Sequence, residues 1–201
     1  MKFSNKELIS FSFIAILCGI VLLFTHKLTK ERISENIEMQ KLKIITAVMT
    51  PDFDNDIYHD VKAINYTDDF GNELTSNVYR ARKSDKPVGV VFMPFPATGY
   101  NGSIQLSVGI LEDGSIFGVH VLSHHETEGL GGNIHQDKTD WLNNFAQQSF
   151  NVTAVDQWAV KNESGKFDQL SGATITSRGV INAVKNSLEL YTIEQDTLFL
   201  D

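Results

Sequence analysis

SIQLSVGILEDGSIFGVHVLS, residues 103–123, reads as two strands around a turn. Ile104, Leu106, Val108 and Ile110 alternate with small or polar residues, and Phe117, Val119 and Val121 alternate in the second half. Successive side chains of a strand point to opposite faces, so a period of two marks a strand with one buried face. Asp113-Gly114 supplies the turn chemistry between them. The two halves therefore form an antiparallel hairpin. A second pair, NVYRARK (77–83) and VGVVFMP (88–94), flanks the turn signal SDKP. Four strands of this kind make an antiparallel sheet.

Helical patterns surround the sheet. In TSRGVINAVKNSLELY (176–191) the residues Val180, Ile181, Val184, Leu188 and Tyr191 line one face. That spacing predicts a helix packed on the sheet. DKTDWLNNFAQQ (137–148) reads as a short helix with Trp141, Leu142 and Phe145 on one side, and Trp158–Val160 as a short strand. Upstream, residues 26–49 carry Ile33, Ile37, Ile44 and Val48 among charges, which predicts a helix turning an apolar stripe to the body of the protein. Pro51 ends it.

The N-terminal run LISFSFIAILCGIVLLF, residues 8–24, holds no charge. About 20 residues at ~1.5 Å each cross a bilayer core. The run continues past Cys18, Leu17 is not the small residue that lipid attachment to a cysteine prefers, and the THK that follows offers no small-residue cleavage site. An uncleaved anchor is the expectation. Lys2 and Lys6 on one side and Lys27, Lys30 and Arg32 on the other leave its orientation open. The expected organisation is α+β: anchor 1–26, linker helix 27–50, and one sheet domain over 51–201.

Composition narrows the function. Hydrophobic residues are 42% of 201, enough for a packed core, and the formal net charge is −8. That charge argues against nucleic acid, because no basic stripe exists to meet phosphates. One cysteine forms no internal disulfide. His124 and His125 are neighbours, so on a strand they face opposite ways, which disfavours one shared metal. No side chain here carries electrons by itself, since there is no cysteine cluster and no haem motif.

FDQLSGATITS, residues 167–177, is the second informative stretch. Thr176 or Ser177 reads as a cap for the last helix. Gly172 and Ala173 leave Thr174 uncrowded beside the positive end of that helix, a place that favours an anion.

Asp168, Ser171, Gly172, Ala173 and Thr174 resemble the flavinylation motif of the FMN-binding domain family. The stretches GYNGSIQLSVGI, HHETEGLGGNI, the tryptophan segment and FDQLSGATITSRGVINAVK also occur in the order found in G subunits of the Rnf electron-transport complex. The resemblance covers most of the chain up to residue 191 and is close from residue 99 onward. The C subunit of the sodium-pumping NADH:quinone oxidoreductase, or an anchored flavin-binding module of another extracytoplasmic electron-transfer system, is the alternative. The resemblance implies FMN joined through its phosphate to the Thr174 hydroxyl by a separate flavin transferase. It implies a one-flavin relay, not catalytic alone, in a membrane complex that moves electrons between ferredoxin and NAD and couples the flow to ion translocation. It implies partner subunits in the bacterial inner membrane and a domain on the periplasmic side. It also places the HHETEGLGGNI loop near the flavin, with Glu126, Leu130 and Gly131 as contacts. Glu128 stands where relatives often carry proline. Asp168 is expected to serve transferase recognition, and Tyr100 and Asn101 are further pocket candidates. Trp141 and Trp158 are expected in the core.

Overall fold

The computed structural model describes residues 5–67 and 71–200. Lys2 lies outside the described residues, and so does the side chain of Lys6. Contacts divide the chain into two units, Met1–Lys41 and Leu42–Asp201.

Helix α1 spans Asn5–Val48 without a break, so no interruption separates the expected anchor from the expected linker helix. It is long and apolar enough to cross a membrane. Of the predicted stripe, Val48 is buried and Ile44 half-buried, while Ile33 and Ile37 are exposed. The stripe is thus a feature of the last turns only.

Five strands follow in a meander of order β1-β2-β3-β4-β5, every pair antiparallel. They are β1 Val61–Thr67, β2 Glu73–Lys83, β3 Lys86–Thr98, β4 Ser103–Leu111 and β5 Ile116–Ser123. The predicted hairpin is β4–β5, with Val108 opposite Val119. The turn of the second hairpin is tighter than SDKP: Ser84 and Asp85 take φ of 50° and 63°, and Lys86 and Pro87 already belong to β3. Strand β1 adds a fifth member to the four expected.

Both faces of the sheet are covered. On one face Ile104, Leu106, Val108 and Ile110 pack with Phe92, Phe95 and the buried side of helix α2, Thr174–Leu198. Val180, Ile181, Val184, Leu188 and Tyr191 are all buried there, as the periodicity predicts. On the other face Ile45, Val48 and Met49 from the end of α1 pack with Ile57, Tyr79, Val91 and Met93. The small residues of β4 are explained by this second layer. A Cβ on Gly109 would stand 1.7 Å from the carbonyl oxygen of Val48, so only glycine admits the helix end so close.

Between β5 and α2 the chain forms short 3-10 turns and no further strand. Trp141–Phe145 is one such turn, not an α-helix, with Trp141, Leu142 and Phe145 buried. The expected strand at Trp158–Val160 reduces to a single bridge between Val160 and Phe167. Trp158 and Trp141 spend their ring N–H groups on the carbonyls of Thr153 (3.1 Å) and Asp168 (2.6 Å), so both tie loops to the core.

The C-terminal end of α2 is held by cations from β1 and β2. Lys62 Nζ donates to the Thr197 carbonyl at 2.6 Å, Arg80 to that of Leu198 at 3.2 Å and Arg82 to that of Phe199 at 3.3 Å. Asp60 pairs with both arginines. These cations meet the carbonyls that a helix end leaves unpaired.

Candidate functional site: a cleft at the start of helix α2

Three loops converge on the first turn of α2. They are the β3–β4 turn, the loop after β5, and the SGAT segment. Together they line a cleft of about 480 Å³ walled by Tyr100, Glu126, Leu130, Gly131, Ala173 and Thr174, among others.

The helix begins at least three residues earlier than the capping reading requires. Thr174 is its first residue and Ala173 its N-cap, with no side-chain cap hydrogen bond and no acid in the first turn. The Ser177 N–H to Ala173 carbonyl bond, 3.0 Å, is the first that closes a helical turn. The expected capping hydroxyls are used elsewhere. Ser177 Oγ accepts from the Leu170 N–H at 3.0 Å, and Thr176 donates to Glu126. The N–H groups that open any α-helix have no partner within it and carry its positive dipole end. Here nothing from a side chain caps them, and the half-buried Thr174 stands among them.

Gly172 takes φ of +71°, which turns the chain into the helix. A Cβ there would lie 3.0 Å from Leu130 Cδ2, so the SGAT segment and the loop after β5 touch at this point. That loop folds on itself through the Thr127 carbonyl, which accepts from the N–H groups of Leu130 (3.1 Å) and Gly132 (2.9 Å). Tyr100, Leu130 and Ile175 remain exposed on the cleft, at 70%, 47% and 46%. Apolar side chains left in water at one opening mark a place for an apolar ligand surface.

Glu126 is buried, 7% exposed. Its Oε1 accepts from the Asn101 N–H at 2.8 Å and its Oε2 from the Thr176 hydroxyl. Its own N–H donates to His124 Nδ1 at 3.2 Å.

Of the residues expected at the site, Glu126, Leu130, Gly131, Gly172, Ala173 and Thr174 line one cleft. Tyr100 lines it too, and Asn101 binds it through the backbone. Asp168 and Ser171 do not line it. Asp168 is exposed and pairs with Lys161 at 2.6 Å, and Ser171 is exposed. Thr127, Ile175 and Thr176 complete the lining and were not anticipated in that role.

The relatives of the chain carry the same region. The profile of the FMN-binding domain matches residues 99–189, which holds the entire cleft. The G subunit of the ion-translocating oxidoreductase complex of Photorhabdus laumondii is 38% identical over 185 residues, covering 91% of this chain and 88% of that one. The chain belongs to the G-subunit family of ion-translocating oxidoreductase complexes. The G subunit of Haemophilus influenzae (strain PittEE) is 35% identical over 187 residues, 93% of this chain and 89% of its own. Among solved structures, Shewanella oneidensis NqrC shares the fold with a TM-score of 0.52 at 20% identity, over 79% of this chain and 74% of that one. The G-subunit likeness thus runs through α1 as well as the sheet domain.

Proposed function

We propose that this chain is the electron-transfer subunit of a membrane-bound ferredoxin/NAD oxidoreductase complex of the Rnf type, relaying electrons through one FMN bound covalently at Thr174. The observation that carries the reading is the Thr174 hydroxyl, half-buried on the cleft wall at a helix start with no side-chain cap. The donor set fits the group. Unpaired N–H groups and the positive end of α2 suit a phosphate. The exposed Tyr100, Leu130 and Ile175 suit the faces of a planar ring system. Bound FMN supplies the redox chemistry that the side chains lack.

The linkage requires a partner. A threonine hydroxyl keeps its proton at neutral pH and is a weak nucleophile. A flavin transferase supplies the base and the donor, FAD. The Thr174 oxygen attacks the phosphorus on the flavin side of the pyrophosphate, and a phosphoester bond forms. The bond between that phosphorus and the bridging oxygen breaks, AMP leaves with the electron pair, and the hydroxyl proton passes to the transferase base. Exposed Asp168 precedes the acceptor and is the point at which this enzyme recognises the chain.

The remaining assignments follow the same reading. Residues 1–26 anchor the chain as a single span, 27–50 link it, and 51–201 carry the flavin on the periplasmic side of the inner membrane. The other subunits of the complex are its partners.

The test is full-length protein made with and without a flavin transferase, followed by in-gel flavin fluorescence after denaturation and peptide mass analysis. The expected result is a fluorescent band only with the transferase, its added mass on Thr174. Thr174→Ala gives a folded, colourless chain. A fluorescent Thr174→Ala band, or the mass on Ser171 or Thr176, overturns the assignment.

A further inference from the structure

Glu126 is the one charged residue that is buried among the described residues. No lysine, arginine or histidine forms an ion pair with it among them. Its place is built to fit. A Cβ on Gly99 would stand 2.5 Å from Oε1, and one on Gly131 would stand 2.4 Å from Oε2. The carboxylate therefore fills a slot between two glycines, with a donor on each oxygen. Through those donors it joins the three walls of the cleft: its own loop after β5, the β3–β4 turn at Asn101, and the first turn of α2 at Thr176.

Holding the walls does not by itself call for a charge. A glutamine has nearly the same shape, with an amide NH₂ in place of one oxygen. Its carbonyl oxygen accepts from the Asn101 N–H, and its amide donates to the Thr176 hydroxyl. A buried carboxylate with no cation beside it is the expensive choice, eased by its two donors and by the positive end of α2. At 7% exposure its charge is also screened less than one at the surface. A fixed negative charge beside an electron acceptor disfavours the arrival of an electron.

We propose that Glu126 is a positioning residue whose bonds to Asn101 and Thr176 clamp the cleft, and whose charge holds down the reduction potential of a flavin in it. The clamp stands on the geometry alone. The effect on potential rests on the flavin reading above.

Two measurements separate the halves. In colourless full-length protein made without transferase, hydrogen exchange reports the clamp. Glu126→Ala and Glu126→Asp are expected to speed exchange at the Asn101 amide and in the first turn of α2, and Glu126→Gln to leave both near wild type. Glu126→Asp, one methylene shorter, reaches one donor and not both, and it serves where Glu126→Ala fails to fold. Wild-type exchange in Glu126→Asp overturns the clamp.

In protein loaded by the transferase, spectroelectrochemical titration reports the charge. Glu126→Gln is expected to load as wild type does and to titrate at a higher potential. An equal or lower potential overturns the charge role. A wild-type chain that takes flavin on a residue other than Thr174 sinks the functional reading, while the exchange data still decide the clamp.

Discussion

Thr176 and Glu126 lie fifty residues apart in the chain and share a hydrogen bond inside the cleft, hydroxyl to carboxylate. Thr176 is itself buried, so its oxygen meets no bulk water. Replacing it by valine keeps the shape and removes the donor. A buried carboxylate left with one donor fewer costs about 1–3 kcal/mol. Thermal unfolding of the full chain in detergent should show Thr176→Val destabilised by that amount and Thr176→Ser close to wild type. Equal stability of the valine variant would contradict the geometry.

Gly109 seats the end of α1. An added methyl there meets the Val48 carbonyl at 1.7 Å, and backbone on both sides cannot yield cheaply. Gly109→Ala should lose at least ~2 kcal/mol, the scale of an overpacked core site. Gly118, opposite it on β5, would place a Cβ 3.3 Å from Val48 Cα. Gly118→Ala should therefore cost clearly less. Denaturant unfolding of the two variants side by side gives the order, and the reverse order would exclude this seat.

His120 should make stability depend on pH. The Gln136 amide oxygen accepts from the Val121 N–H at 3.1 Å, which turns its NH₂ towards His120 Nε2 at 2.8 Å. A protonated imidazole has no acceptor left for that bond. Burial holds the His120 ring below its ordinary value, the nearby His135 adds to this, and Asp137 opposes it. A histidine depressed in the fold binds protons better when unfolded. Its contribution is complete above the unfolded value of about 6.5 and is lost as pH falls from there towards the folded value. Melting temperature should drop from pH 7 towards about pH 5, and His120→Gln should flatten that slope. An unchanged slope would assign the pH dependence to other groups.

Leu130 tests the flavin side of the cleft. It is 47% exposed, so a polar substitute does not threaten the core. Leu130→Asp in transferase-loaded protein should keep the phosphoester and shift the visible absorbance bands of the flavin. An unchanged spectrum would place the ring away from this loop.

The hairpin β4–β5 was legible because its pattern is local: seven apolar residues at period two around Asp113-Gly114, of which all but Phe117 are buried, Ile116 taking the core place across a shift in register. Strand β1 was not, because it is an edge strand with only Ile64 buried, and VKAINYT shows no repeated apolar face. Trp158–Val160 looked like a strand for its β-prone residues, but the chain forms one bridge there and turns away. Thr174, Leu130 and Gly131 were readable as motif positions. The roles of Thr176 and Ser177 were not, since capping is judged from near neighbours. One hydroxyl serves Glu126 across fifty residues and the other the Leu170 N–H. Contacts of that kind exist only once the sheet has brought the loops together.

The two ends of α2 are treated unequally. Lys62, Arg80 and Arg82 occupy its C-terminal carbonyls, whereas its start carries no capping side chain. The chain's own cations thus anchor the helix before any cofactor arrives. The sheet domain therefore holds this helix with side chains of its own, while one helix end stays electrically unfinished. On the proposed linkage, a phosphate joined to Thr174 meets that unfinished end and should raise the melting temperature of the chain.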